Sequence, residues 1–169
     1  MDNRRTRRRA ARQQEIIDAA MRRVVADGLD GLTIAGLAAD VDAAVGAIYR
    51  YFPGKADLLA ALQLQAVGTL RGHIEAALGQ TAARLALLPP PVAALARLLV
   101  ALAAWTDLAH AQPALYQLAD RSLSDPRRLL SDAQADAVDE ALRPILATCC
   151  GLLDAAVATG ALSEGPADV

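Results

Sequence analysis

Apolar positions in the first 60 residues recur at helical spacing and are interrupted only by short bends. Ile17, Ala20, Met21, Val24 and Val25 form a stripe that predicts a helix from about 13 to 27, stopped by Gly28. Ile34, Leu37, Ala38 and Val41 follow at i, i+3, i+4 and i+7, and Val45, Ile48, Tyr49 and Phe52 repeat that spacing as a second buried stripe. Between them lies Val41-Asp42-Ala43-Ala44, too short for anything but a sharp turn, with Asp42 as the residue that tolerates a left-handed backbone. Thr33 is placed to cap the first of these two helices. Pro53-Gly54 is expected to end the second, since proline cannot continue the hydrogen-bond ladder and glycine accepts unusual dihedrals beyond it. Two short helices around a tight bend, preceded by a third, have the layout of a helix-turn-helix unit that reads DNA.

The remainder reads as helices separated by proline. From Lys55 a long helix carries Leu59, Leu62, Ala66, Leu70, His73 and Ala77. Pro89-Pro90-Pro91 breaks the chain before a helix from about 92 to 111 that is apolar almost all the way round, through Leu95, Leu98, Leu99, Leu102 and Trp105, and is expected in the middle of a bundle. Gln112-Pro113 starts another, with proline where a first turn accepts it. After Asp125-Pro126, the capping-box spacing from Ser131 to Gln134 opens the last long helix. Its seam of Val138, Leu142, Ile145, Cys149, Leu152 and Ala156 suits packing against another helix, and Pro144 is expected to kink it.

Composition agrees with an all-α chain: hydrophobic residues make up 54% and aromatics only 3% of 169 residues, with alanine and leucine dominant. A net charge of −2 would argue against nucleic acid if it were evenly spread, but it is not. Residues 1–23 hold eight arginines against three acids, a balance of +5, while residues 58–169 stand at −4. Arginines at 4, 5, 7, 8, 9 and 12 read as a flexible basic arm over residues 1–12, kept disordered by self-repulsion and drawn to phosphates or a narrow minor groove. The N-terminus has no apolar signal segment and no uncharged apolar run approaches membrane-spanning length, so a cytoplasmic protein without a membrane partner is expected. Cys149 and Cys150 are adjacent, fit a reducing compartment and lack a third ligand at metal spacing, so no metal is expected. No phosphate-cradling loop, nucleophile elbow or cofactor motif is present, which argues against an enzyme and against a cofactor.

The runs Leu32-Thr33, LAADV at 37–41 and GAIYRYFPGKADLL at 46–59 resemble the N-terminal domain of the TetR family of bacterial transcriptional regulators. The resemblance implies a helix-turn-helix DNA-binding domain over 13–54, followed by a helical-bundle ligand-binding and dimerisation domain over 55–169. It implies a recognition helix at 44–51, phosphate contacts from Tyr49 and Lys55, and a cap near the DNA backbone at Thr33. This sequence has Asp42 where the family usually has glycine, and Ala44 and Val45 in place of polar readers. Ala44, Val45, Gly46 and Ala47 offer no bidentate hydrogen bonds, so discrimination falls to thymine-methyl contacts, Arg50, Tyr51, DNA shape and the arm residues Arg4, Arg5, Arg7, Arg8 and Arg9.

The family likeness further implies a homodimer on a palindromic operator, repressing until a small, hydrophobic effector releases it. Candidate effector contacts are His73, Trp105, Thr106, His110, Tyr116 and Gln117. Family members commonly continue past the equivalent of Gly160 with helices that form much of the dimer interface. Either the seam of the last helix serves that role here or further residues follow Val169. The rival reading is a helical adaptor that has lost sequence-specific DNA binding.

Overall fold

The computed structural model describes residues 2–124 and 130–163. Among the described residues the chain forms seven helices and no strand: α1 (Asp2–Asp27), α2 (Ile34–Asp40), α3 (Val45–Tyr49), α4 (Lys55–Leu85), α5 (Pro90–Ala111), α6 (Pro113–Ser124) and α7 (Asp132–Ala158). The expected break at Asp125-Pro126 lies outside the described residues.

Helices α1 to α3 close around a small core of Ile16, Ile17, Ala20, Met21, Val24, Leu32, Leu37, Ala38, Val41, Ile48 and Phe52. Gly28 ends α1 with φ +73°, a conformation that costs a residue with a Cβ. Asp42 makes the turn between α2 and α3 with φ 46°, as the sequence predicts. The Thr33 hydroxyl accepts a hydrogen bond from the Gly36 N–H at 3.1 Å, which caps α2.

A cross-link from α1 fixes the angle of α2. The Arg23 guanidinium donates to both carboxylate oxygens of Asp40 and to the Gly36 carbonyl, the last at 3.0 Å. A Cβ on residue 36 would stand 2.7 Å from that guanidinium, so a larger residue there would push the tip of Arg23 aside. The hydrogen bond from Arg23 holds the Asp40 carboxyl below the ordinary carboxylate range. The pair's contribution to stability is therefore complete at neutral pH and fades only as acid protonates Asp40.

Helix α4, roughly 46 Å long at 1.5 Å per residue, joins this head to the body and touches α1, α5, α6 and α7. Its buried side is Leu58, Leu62, Gln63, Ala66, Val67, Leu70 and Ile74. At the junction, Gln14 donates to Asp18 at 2.9 Å and to Gln65 at 3.0 Å, tying α1 to α4. Prolines 90 and 91 open α5 and Pro113 opens α6, where the missing N–H costs no hydrogen bond.

Several side chains face otherwise than the sequence pattern suggests. Residues 2–12 belong to α1 rather than to a disordered arm, because arginine, alanine and glutamine are good helix formers and each like-charge pair costs only tenths of a kcal/mol. Val25 is exposed and Ile16 takes its place in the core. Val45 and Tyr49 are 42% and 47% exposed, leaving Ile48 and Phe52 as the buried pair of the second stripe. Gly54 is extended at φ −143° and needs no unusual dihedral.

Helix α5 does not sit in the middle of the bundle. Its small residues Ala93, Ala94, Ala101 and Ala104 face inward with Leu108, while Val92, Leu95, Leu99 and Leu102 are exposed. The seam on α7 is not an open face either: Val138, Leu142, Ile145 and Ala156 are buried within the protein, with Cys149 and Leu152 packed against the core. α7 continues as helix through Pro144. By length and composition alone α5 and α7 are each long and apolar enough to cross a bilayer.

Candidate nucleic-acid interface

The short connection through Asp42 presents the start of α3 to solvent. Ala44, Val45 and Gly46 are exposed and Ala47 is half-buried, while Ile48 beneath them anchors the helix in the core. Ala44 occupies the N-cap position but makes no side-chain cap bond. Nothing lies within 4 Å of where a Cβ on Gly46 would sit. Gly46→Ala should therefore stabilise the fold by about 0.5–1 kcal/mol through the lower backbone entropy of the unfolded chain. That corresponds to roughly 1–4 °C in melting temperature for a chain of this size, and a fall on thermal unfolding would contradict the open geometry.

Around this edge stand the remaining candidates. Thr33, Tyr49, Arg50 and Lys55 are all exposed, and Tyr51 is half-buried against the core. The roles of the two tyrosines are thus exchanged relative to the sequence pattern: Tyr49 points its ring outward and Tyr51 is the one that packs. Arg4, Arg5, Arg7, Arg8 and Arg9 are exposed on the first turns of α1. Arg12 donates to the Val41 carbonyl at 2.8 Å, securing the arginine-rich turns to the end of α2.

Lys55 opens α4, and Asp57 in the same turn accepts from the Gly54 N–H at 2.7 Å. Its other carboxylate oxygen accepts from Gln134 at 2.7 Å. Gln134 in turn accepts from the Ser131 N–H at 2.9 Å, so the first turns of α4 and α7 share one hydrogen-bonded unit. The capping box at Ser131 was visible in sequence spacing; its bridge to Asp57, 77 residues away, left no local signal.

The six candidate effector residues are not gathered into one cavity. Trp105 and Tyr116 meet edge-to-face with ring centroids 5.9 Å apart. Thr106, His110 and Gln117 are exposed, and His110 Nδ1 lies 2.7 Å from the Thr106 carbonyl within their own helix. His73 is exposed at a hollow of about 300 Å³ between α4 and α5, and its neighbour Ile74 takes the inward position. A separate apolar groove of about 200 Å³ is lined by Ile74, Leu98, Ala101, Leu102, Trp105, Cys149, Leu152 and Leu153. Sequence reading missed Gln63, which is buried on α4 with its amide oxygen lacking a partner among the described residues. Among the described residues no group of three or more His, Cys, Asp or Glu side chains is placed to hold a metal.

A three-helix head with an exposed second helix of a helix-turn-helix, ringed by cations and set on a helical body, defines a DNA-binding regulator of the helix-turn-helix class. Residues 16–62 match the family model for bacterial regulatory proteins of the tetR family. A crystal structure of a candidate tetR family transcription regulator from Shewanella sp. PV-4 resembles this chain at 26% identity, covering 91% of this chain and 74% of its own, with a TM-score of 0.58. No curated protein matches the chain. The head and the fold of the chain are thus similar to those of tetR family regulators, which are DNA-binding transcription regulators.

Proposed function

We propose that this protein is a cytoplasmic, ligand-responsive repressor that binds a palindromic operator as a homodimer and is released by a small hydrophobic molecule. The observation that carries the ligand response is the shared cap of α4 and α7. Asp57 holds the backbone of Gly54, immediately after the DNA-facing segment, and is itself held by Gln134 at the start of α7. Farther along, α7 contributes Cys149, Leu152 and Leu153 to the apolar groove against α4 and α5. A molecule wedged there shifts α7 and, through Gln134, the start of α4 that carries the head. Coupling requires only that the groove bind its occupant more tightly in one of the two arrangements.

The groove is almost wholly apolar and smaller than a typical drug-sized pocket, which favours a compact hydrocarbon or aromatic ligand. The dimer reading rests on α5, whose alanines face in and whose leucines face out. Val92, Leu95, Leu99 and Leu102 recur at steps of 3, 4 and 3, a stripe suited to a second helix. On α7, Leu146 and Leu153 are also exposed. A two-fold pair of heads would meet half-sites about one helical turn, roughly 34 Å, apart.

The test is a screen of small hydrophobic compounds against the protein bound to a duplex it selects. Release by a compound that also quenches Trp105 fluorescence is the expected result. Release that persists unchanged when Leu98 and Leu152 are both enlarged to tryptophan would place the effector elsewhere.

A further inference from the structure

Helical residues 5, 8, 9 and 12 lie at i, i+3, i+4 and i+7 and so share one face of α1. Arg12 pins that face to the Val41 carbonyl at the end of α2. One turn earlier, the Arg9 guanidinium lies 5.9 Å from the centre of the Tyr51 ring, within cation–π range, and Tyr51 is itself packed against the core. Arg5, Arg8, Arg9, Arg50 and Tyr51 line a hollow of about 400 Å³. Among the described residues no carboxylate lies within ion-pair distance of any of these four arginines.

Four permanently charged guanidiniums converging without a counter-charge repel one another, and an anion with several oxygens removes that repulsion while accepting their planar forks. We propose that this hollow is a preorganised cradle for a backbone phosphate of DNA, and that Arg50 belongs to it and is not a base reader. Arg50 follows Tyr49, the last residue of α3, whereas base edges are met by the opposite, N-terminal end of a recognition helix. Ordering of the cradle precedes binding: the stacking of Arg9 on a packed ring and the bond from Arg12 hold the arginine face in place, so little further freedom is lost. The inference rests on the DNA-binding reading and names which atoms of the DNA this part of the surface meets.

Two variants, Arg9→Gln and Arg50→Gln, test it, since both residues are exposed and neither holds the core. Each should weaken every duplex in a random pool by a similar factor, about tenfold, leave the selected consensus unchanged, and flatten the slope of log affinity against log salt by about 1. A consensus altered at one position by Arg50→Gln would overturn the assignment and restore Arg50 as a reader. An unchanged salt slope in both variants would overturn it as well. Inorganic pyrophosphate, titrated at constant ionic strength, separates a free anion from DNA phosphate. Thermal stabilisation by pyrophosphate that both variants lose, together with unchanged duplex binding, would show a free-anion site and contradict the DNA assignment. Absence of any duplex binding by the unaltered protein would count against the DNA-binding reading itself; pyrophosphate that then stabilised the unaltered protein and not the variants would leave an anion site and overturn its assignment to DNA phosphate.

Discussion

Replacing Phe52 by alanine should lower the melting temperature by roughly 6–20 °C and abolish DNA binding near the new midpoint. Phe52 is only 2% exposed and is the largest fully buried side chain among the described residues. Its N–H donates to the Ile48 carbonyl at 2.9 Å, which brings the chain round from α3 toward α4 directly beneath the DNA-facing edge. Truncating a buried phenylalanine costs about 3–5 kcal/mol, the lost transfer energy plus the cavity left behind. For a chain of this length each kcal/mol moves the midpoint by about 2–4 °C. Circular dichroism against temperature checks the stability and fluorescence anisotropy with labelled duplex checks the binding. A shift under about 2 °C would mean that Phe52 does not hold the two short helices together.

The second large effect is expected from charging the outward leucines of α5. Leu95 and Leu99 are 40% and 58% exposed, and neither lines the apolar groove. The double variant Leu95→Asp with Leu99→Asp should leave the monomer fold and the groove intact, because the buried side of α5 is made of alanines and Leu108. On the proposed dimer, four carboxylates would be forced into one apolar seam, where burying an unpaired charge costs several kcal/mol per group. Sedimentation should then report a monomer, and affinity for a two-half-site duplex should fall at least about a hundredfold as simultaneous engagement is lost. A dimer that survives the double substitution would move the interface off α5.

These two positions also mark how far a sequence can be read. The turn at Asp42, the cap at Thr33, the proline opening α6, and the capping-box spacing at Ser131 follow local rules and stand where spacing puts them, whereas α5 begins two residues early, at Pro90 within the proline run. The direction in which a side chain faces follows no local rule. A stripe over eight residues assumes a helix that lasts eight residues, but α3 ends at Tyr49, so Val45 and Tyr49 turn outward and the bend delivers Phe52 to the core. A helix apolar on every side carries no record of its inner face, and in α5 the small residues win that side because alanine lets α4 approach closely. The α7 seam was legible as a packing surface, while its partners, α4 and α5 of the same chain, were not. At the candidate site the exposed edge and its cations were legible one by one. The meeting of Arg9 with Tyr51 was hidden because it depends on residues 2–12 being helix.

The edge formed by α3, the arginine face of α1 and the start of α4 is expected to bind duplex DNA in register. Selection of bound duplexes from a random pool by the intact protein, followed by affinity against salt on the enriched sequence, tests it most directly. Enrichment of an inverted repeat with half-sites about 10 base pairs apart is expected, with an affinity that falls steeply and linearly on a log–log salt plot. No enrichment over the starting pool, with binding that is absent or indifferent to salt, would contradict it and leave a helical adaptor in its place.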